Sequence, residues 1–327
     1  MLELPALTIE SVFGCVPARV ADNLSILSDL VGRAKAESIV QATGFATRRV
    51  TAEGQGVFDL VLPAARQALA DVDPSEIGGV VAVTFSHPDR FPALAIRLQH
   101  ALNLPKEIAA FDLGLACSGY PYGLFVAGQL ASATGKQVLL VDGDVQSAHV
   151  DASDPNTLAV MGDAATATLV SATGGPARFA FLTDGTGADV LRCGADGVIR
   201  MDGFGVFRFV AGPVTEFLRG FISETGEPDI FVPHQANMYM VRQLAKSLGL
   251  SDRLLTSGER YANPGSCSVP LTLASSYGRA AARPHDGEGR APARPPRLLL
   301  AGFGAGLSAA AASVEISPTC ERGVVEL

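Results

Sequence analysis

Short apolar runs rich in β-branched residues alternate along this chain with longer amphipathic runs. The segments Gly78–Ser86 and Lys136–Asp144 have the length and composition of buried strands. The segments Pro92–Leu104 and Gly123–Thr134 carry apolar residues at helical spacing, and Pro92 suits the first turn of a helix. Strands and helices that alternate in this way predict an α/β architecture with largely parallel or mixed sheets.

Two segments share one pattern, in which a strand leads through a turn with a reactive side chain into a helix. In "FDLGLACSGYPYGLF" the turn carries Cys117, and in "PDIFVPHQANMYMV" it carries His234. Because α/β proteins hold their sites at the ends of strands, two such units facing each other would bring these side chains together. We therefore predict two similar halves, residues 1–173 and 174–327, divided at the Gly-rich break "SATGGP".

Composition and charge exclude several classes of protein. The 327 residues are 48% hydrophobic and 18% charged, which is enough apolar material for a large core. A net charge of −8, with no Lys/Arg cluster before the C-terminal third, argues against nucleic-acid binding, and an acidic partner would need a local basic patch. The sequence shows no signal peptide and no apolar run of about 18 residues, so we expect a cytoplasmic protein that crosses no membrane.

Other features give weaker predictions. The five cysteines form no CxxC pair, and their odd number argues against a disulfide framework. The Pro-, Gly- and Arg-rich stretch Ala280–Arg297 predicts an exposed loop, and we expect partial disorder in the tail from Ser317 to Leu327. We expect Asp142 and Asp144 to end a strand with hydrogen bonds rather than to form a reactive carboxylate pair.

Cys117 lies among small residues between the predicted strand and helix. A lone cysteine is more often a buried space-filling residue than a nucleophile. Here Gly114, Ala116 and Gly119 permit a sharp turn of the kind that exposes a nucleophile. The N-terminus of the helix would stabilise a thiolate, and its free N–H groups could hold an oxyanion.

Three further motifs offer partners for this cysteine. His234 in "VPHQAN" opens an amphipathic helix, and neutral imidazole there could donate a hydrogen bond. Asn263 in "YANPGSCSVP" is either a turn residue or a neutral amide donor, and His and Asn donating to one carbonyl oxygen would stabilise an enolate. "GFGAG" follows a strand, but the short remaining chain excludes a dinucleotide-binding unit and favours a turn that donates backbone N–H groups.

These motifs together, in this order, resemble the β-ketoacyl-acyl carrier protein synthase III (KAS III) group of the thiolase superfamily. The matching stretches are "ACSGYPYGL", "PHQAN", "YANPGSCSVP" and "GFGAGL", with "IESVFGCVPARVADN", "VQATGFATRRV" and "MGDAATATLV" in support. The resemblance covers essentially the whole chain. It implies a thiolase-like, five-layered αβαβα fold built from two similar halves, usually as a homodimer.

The resemblance also implies a role for each residue of the set. Cys117 would be acylated by a thioester, and His234 and Asn263 would stabilise the enolate formed when a malonyl thioester loses CO2. The backbone N–H groups of Cys117 and Ala305 would form the oxyanion hole. Phe91 matches a residue that limits the acyl pocket, although its apolar neighbours are equally typical of a core position. No metal or redox cofactor is needed for this covalent chemistry.

The chain departs from the family where its members hold coenzyme A. An aromatic residue and two arginines are replaced by Ser38, Ala42 and Asn156. Loss of an aromatic stack and two charge-assisted contacts predicts weak use of acyl-CoA and favours an acyl group on a carrier protein.

Basic residues near the tunnel mouth dock the carrier protein in the family. Arg208 and Lys246 match two of them, whereas Tyr239 replaces a third. Both could equally be solvated surface charges. Ala262 and Pro264 replace the Gly and Thr that usually flank the Asn, which could shift its amide.

We therefore expect a condensing enzyme that joins the acyl group on Cys117 to a malonyl-carrier protein thioester and releases a β-ketoacyl product. One alternative is an acyltransferase that moves the acyl group to an oxygen or nitrogen acceptor. The other is a catalytically silent dimer partner. Retention of His234 and Asn263 disfavours the first, and retention of Cys117 disfavours the second.

Overall fold

The computed structural model describes residues 1–281 and 295–327. Its strands are β1 Leu2–Leu4, β2 Thr8–Val16, β3 Val20–Asp22, β4 Thr47–Arg49, β5 Ile77–Val83, β6 Ala109–Leu113, β7 Gln137–Val145, β8 Asp163–Ser171, β9 Ala177–Thr183, β10 Leu191–Cys193, β11 Ile199–Met201, β12 Ile230–Pro233, β13 Arg297–Gly304 and β14 Ser308–Glu326. Its α-helices are α1 Asn23–Val31, α2 Arg33–Thr43, α3 Val57–Ala68, α4 Leu94–Ala101, α5 Gly119–Thr134, α6 Pro155–Leu158, α7 Gly203–Phe209, α8 Thr215–Thr225, α9 Met238–Ser247, α10 Gly258–Tyr261 and α11 Ser268–Ala281.

The same four-strand arrangement occurs twice in the hydrogen-bonded sheet. In the first half the order is β5-β7-β8-β2, where β5 and β7 are parallel and the other pairs antiparallel. In the second half the order is β12-β13-β14-β9 with the same directions. This repeat confirms the predicted two similar halves. We propose that the two halves divide at the turn near residue 174. β1 belongs to the first half by sequence but pairs with β9 of the second half.

Helices cover both faces of each half of the sheet. α5 and α11 pack between the two halves and contact strands of both, so their apolar residues share one core. α3 and α4 cover the outer face of the first half, and α8 and α9 cover that of the second. The result is the predicted order of five layers, αβαβα.

Small residues let α5 lie buried between the two halves of the sheet. A Cβ atom on Gly123 would lie 2.7 Å from a methyl carbon of Leu140, and one on Gly128 would lie 2.6 Å from Leu4 and Leu7. Larger side chains at these two positions would push the strands away from the helix. The Gly- and Ala-rich sequence of α5 is therefore a consequence of its central place.

The structure confirms the predicted strands and helices and corrects the start of one helix. β5, β7, α4 and α5 lie where the patterns predicted them. Pro92 precedes α4 rather than opening it, because the carboxylate of Asp112 accepts hydrogen bonds from the N–H groups of Leu94 and Ala95 and so caps the helix there. The predicted loop Ala280–Arg297 falls almost entirely outside the described residues.

The expectation of a disordered C-terminal tail is wrong. The last residues continue β14, and Glu321–Glu326 pair in parallel with Ser11–Val16 of β2. This pairing joins the two halves of the sheet at their centre. Among the described residues, no helix combines the length and apolar character that a bilayer crossing requires.

Two acidic side chains are buried in β7. The Asp144 carboxylate oxygen Oδ1 accepts hydrogen bonds from Thr84 Oγ1 and from the N–H groups of Phe85 and Ser86, as predicted. Neither oxygen of Asp142 makes a hydrogen bond of good geometry in the described chain, although the Ser266 hydroxyl lies close enough to oppose the rise in its pKa, so the expectation of a well hydrogen-bonded strand end is wrong there. Burial raises the pKa of Asp144 to about 7 and that of Asp142 well above its usual range.

The Asp142→Asn variant should gain stability relative to wild type as pH rises. A carboxyl whose pKa is raised by folding keeps its proton when the unfolded chain has lost it, so the free energy of unfolding falls as pH rises above about 4. The substituted amide carries no charge to neutralise, and the variant should therefore unfold at a higher temperature than wild type at pH 8 but not at pH 4. The exposed Asp29→Asn change is the control, and an equal shift at both pH values would contradict the account.

Candidate active site

A sharp turn between β6 and α5 presents Cys117. The chain folds back within a few residues, since the N–H of Gly119 donates to the carbonyl of Ala116 at 2.7 Å. A Cβ atom on Gly119 would lie 2.4 Å from Val83, so only glycine lets the start of α5 approach β5 this closely. Cys117 itself is 6% exposed, at the N-terminal end of α5.

The glycine-rich end of β13 lies directly against this turn. A Cβ atom on Gly302 would lie 2.8 Å from Ser118 Cα. One on Gly304, whose φ of +156° also favours glycine, would lie 2.8 Å from Cys117 Cβ and 3.2 Å from its Sγ. The "GFGAG" motif therefore serves close packing against the cysteine rather than dinucleotide binding.

Two opposing effects act on the Cys117 thiol. Burial, with a smaller contribution from the charge of Asp144, raises the pKa of the thiol to about 12. The backbone N–H groups of Cys117 and Ala305 act in the opposite direction, which means that both lie near the sulfur. These are the two groups that the sequence predicted as an oxyanion hole.

His234 follows β12, and contacts to neighbouring residues fix its position. Its Nδ1 lies 2.7 Å from the hydroxyl of Ser268, and its backbone N–H donates to Ala301. Its ring packs edge-to-face on Phe303, with ring centroids 5.5 Å apart. Burial lowers the pKa of His234 to about 4, although the carbonyl of Gly265 acts in the opposite direction, so the imidazole is neutral near pH 7.

The Asn263 side chain is oriented by its own loop. Its Oδ1 accepts the N–H of Gly265 at 2.9 Å, while Nδ2 makes only a long contact of 3.5 Å to the carbonyl of Ala236. Its backbone carbonyl accepts from Nε2 of Gln146 at 2.7 Å. Ala262 has a φ of +56°, a backbone conformation that favours glycine. The Gly that this position usually has in the family would adopt it with less strain.

Two cavities meet at Cys117 and share it with Met161 and Leu191. The smaller, of about 80 Å³, also contains His234 and Asn263, so one cavity brings all three predicted catalytic side chains together. The larger, of about 300 Å³, contains Ala305 and Gln146. Its remaining lining residues are Phe85, Gly114, Leu115, Ala116, Arg192, Cys193, Ile199 and Gly306.

Phe91 lies on the surface of the single chain. It is 86% exposed and lines neither cavity, because the segment after β5 carries it outward before α4 begins. The alternative that it is a core residue is therefore wrong, and the expectation that it limits the acyl pocket stays a prediction. Ser38, Ala42 and Asn156, at the positions expected to hold coenzyme A, have exposed side chains.

The predicted docking residues lie on two helices that also line the smaller cavity. Arg208 on α7 and Lys246 on α9 are both exposed. Tyr239, 54% exposed, stacks on Phe207, and Arg208 lies 5.7 Å from the ring of Phe204. The surface beside the cavity is therefore more aromatic than the sequence pattern indicated.

Sequence reasoning missed two side chains that support the site. Ser268 lies within a quoted motif, but only the fold shows that its hydroxyl contacts His234. Gln146 has no motif around it, and its importance comes from long-range bonds to the carbonyls of Gly162 and Asn263. Neither contact could be read from local spacing.

The chain matches two family profiles and many curated relatives. The profile for 3-oxoacyl-[acyl-carrier-protein] synthase III matches residues 111–189, and that for the C-terminal part of the same family matches residues 223–316. A β-ketoacyl-[acyl-carrier-protein] synthase III of Shewanella oneidensis is 32% identical over 90% of this chain and 94% of its own. One from Streptomyces coelicolor is 33% identical over 94% of this chain and 92% of its own.

Solved structures give the same result for the fold. A 3-oxoacyl-(acyl-carrier protein) synthase from Burkholderia xenovorans superposes with a TM-score of 0.92 over 100% of this chain and 98% of its own, at 27% identity. A synthase III from Pseudomonas aeruginosa gives 0.83 over 95% and 98%, at 29% identity. The protein described here therefore belongs to the β-ketoacyl-acyl carrier protein synthase III family of the thiolase superfamily.

Proposed function

We propose that this protein is a decarboxylating condensing enzyme. It takes an acyl group onto Cys117, joins it to a malonyl group held by acyl carrier protein, and releases CO2 and a β-ketoacyl thioester. The observation that carries the proposal is that Cys117, His234 and Asn263 line one cavity. A nucleophile and two neutral hydrogen-bond donors are what the two half-reactions require.

The first half-reaction is a thioester exchange. The sulfur of Cys117 attacks the thioester carbonyl carbon, the bond from that carbon to the donor sulfur breaks, and the thiol proton of Cys117 passes to the departing sulfur. The backbone N–H groups of Cys117 and Ala305 hold the oxyanion that forms during the attack, because both already lie near the sulfur.

The second half-reaction uses His234 and Asn263. The bond between the malonyl carboxylate and its neighbouring carbon breaks, CO2 leaves, and the electron pair forms an enolate whose oxygen accepts hydrogen bonds from Nε2 of His234 and Nδ2 of Asn263. His234 Nδ1 lies 2.7 Å from the Ser268 hydroxyl, which also accepts the N–H of Gln235. In the tautomer in which Nδ1 accepts the Ser268 proton, the imidazole N–H is on Nε2 and can donate to the enolate. The enolate carbon then attacks the acyl carbonyl and frees the Cys117 thiolate.

The two alternatives fit the geometry less well. Transfer to an oxygen or nitrogen acceptor needs no enolate stabiliser, yet a neutral His234 and an oriented Asn263 both line the smaller cavity. A silent dimer partner needs no nucleophile, yet Cys117 lies at the junction of the two cavities. Condensation is the reaction that uses all three side chains.

The substrates and partners follow from the same site. Carrier-bound thioesters supply their own phosphopantetheine, so the reaction needs no metal and no further cofactor. Arg208 and Lys246 are exposed on two helices that also line the smaller cavity, and their positive charges suit the docking of an acidic acyl carrier protein. All five cysteines are free, which suits the reducing cytoplasm in which we expect the enzyme.

A homodimer would form along β6. This strand has β5 on one side and no partner in the described chain on the other, so a second copy could extend the sheet. Asp112 of β6 caps the start of α4, and exposed Phe91 lies three residues before that start. Phe91 is therefore near β6, and a dimer formed along β6 would cover its ring. Phe91 would then act on an acyl pocket only as part of the dimer.

Carrier protein should be a better acyl donor than coenzyme A. Exposed Ser38, Ala42 and Asn156 offer no aromatic stack and no guanidinium to coenzyme A, so micromolar acetyl-CoA should acylate Cys117 at least about tenfold more slowly than acetyl-carrier protein. Intact-mass spectrometry over time measures both rates. Cys117→Ala is the control that removes the mass gain, and rapid acylation by acetyl-CoA would contradict the prediction.

The His234→Ala variant tests the condensation mechanism. Acylation should persist, because the N–H groups of the oxyanion hole are unchanged, while release of CO2 from malonyl-carrier protein should fall about 100-fold or more with the loss of a positioned donor. The exposed His100→Ala change on α4 is the matched control and should alter neither step. A His234→Ala enzyme that decarboxylates normally would overturn the assigned role.

A further inference from the structure

Of the two cavities that meet at Cys117, the larger suits the acyl chain. The smaller cavity contains His234 and Asn263 and is therefore needed by the malonyl group, whereas the larger contains neither of them. Both begin at Cys117, so a chain attached to its sulfur extends into the larger cavity. The side chains in that wall then set which acyl groups fit.

The wall of the larger cavity is largely apolar. Among the described lining residues, Gln146 and Arg192 carry the strongly polar side chains. Arg192 is half exposed and lies 3.6 Å from the carboxylate of Asp189, so it is a solvated residue at the rim. Gln146 is only 2% exposed, and its amide is therefore inside.

The amide of Gln146 has an oxygen with no donor. Its Nε2 uses both hydrogens, donating to the carbonyl of Gly162 at 3.0 Å and to that of Asn263 at 2.7 Å. No described residue donates to Oε1, and this atom is not among the polar atoms sealed from solvent. Gln146 lines the larger cavity, and its Oε1 lies near Gly265, where an added Cβ atom would be 3.4 Å away. The cavity is then the route by which a ligand would reach this oxygen.

We infer that Gln146 is a specificity-determining residue, and that the enzyme selects acyl groups whose chain carries a hydroxyl or N–H donor. The inference rests on the proposed function, in which Cys117 is acylated. A plain alkyl chain would cover Oε1 without supplying a hydrogen bond, and an acceptor buried unpaired costs free energy. A chain with a donor at the right carbon pairs with Oε1 instead.

The test compares matched acyl groups on a donor that needs no carrier docking. Butyryl-, 3-hydroxybutyryl- and 4-hydroxybutyryl-pantetheine are each mixed with the enzyme, and intact mass follows acylation of Cys117. Wild type should take one hydroxylated isomer about tenfold faster than butyryl, the effect of a single hydrogen bond. In Gln146→Met the ratio should fall to within about twofold.

The ratio of the acylation rate of a hydroxylated acyl group to that of butyryl separates a loss of selectivity from damage to the fold. Gln146→Met also frees the carbonyls of Gly162 and Asn263, but such damage would slow all three thioesters together. Met161→Leu changes the shape of the same wall without changing its polarity, so it should keep the wild-type ratio. Equal rates in wild type, or a preference that persists in Gln146→Met, would overturn the inference. If the pantetheine thioesters do not acylate wild type, the same three acyl groups are compared on carrier protein, and equal rates there would overturn the inference. Failure of the carrier-bound acyl groups as well would contradict the proposed function, and the inference with it.

Discussion

The close packing of the Cys117 turn against the end of β13 is the contact on which the rest of the site depends. Gly302 and Gly304 leave no room for a side chain between the strand and the turn, so the two halves of the fold meet at the sulfur. Ala305, which directly follows Gly304, lines the larger cavity together with Cys117. β12 pairs in parallel with β13, so the same contact also brings His234, at the end of β12, to the cavity at Cys117.

Burial then determines the charge of each group at this contact. His234 remains neutral near pH 7, so it can donate a hydrogen bond without placing a positive charge in the core. Cys117 remains largely a thiol, because burial outweighs the two N–H groups that favour the thiolate. A neutral site suits a reaction whose charge develops only on the enolate and the oxyanion.

Much of this site could be predicted from the sequence, since Cys117, His234 and Asn263 each lie in a local turn with its own composition. Their supporting contacts could not be predicted. Ser268 and Gln146 act through hydrogen bonds to residues far along the chain. The C-terminal strand was missed for the same reason, because it is ordered by pairing with β2, some 310 residues earlier, rather than by its own pattern.

Phe91 shows a different limit. Its apolar character is clear from the sequence, but its exposure became apparent only from the folded chain. A local pattern cannot separate a core residue from an apolar residue that the fold leaves exposed.

The measurement that tests the central claim most directly is a single turnover of the acylated enzyme with malonyl-carrier protein. Enzyme carrying an acyl group on Cys117 is separated from its donor, and CO2, the β-ketoacyl product and the enzyme's mass are followed together. The account predicts that each acyl group lost from Cys117 appears in one β-ketoacyl product with release of one CO2. Loss of the acyl group to water or to another acceptor, without CO2, would contradict it.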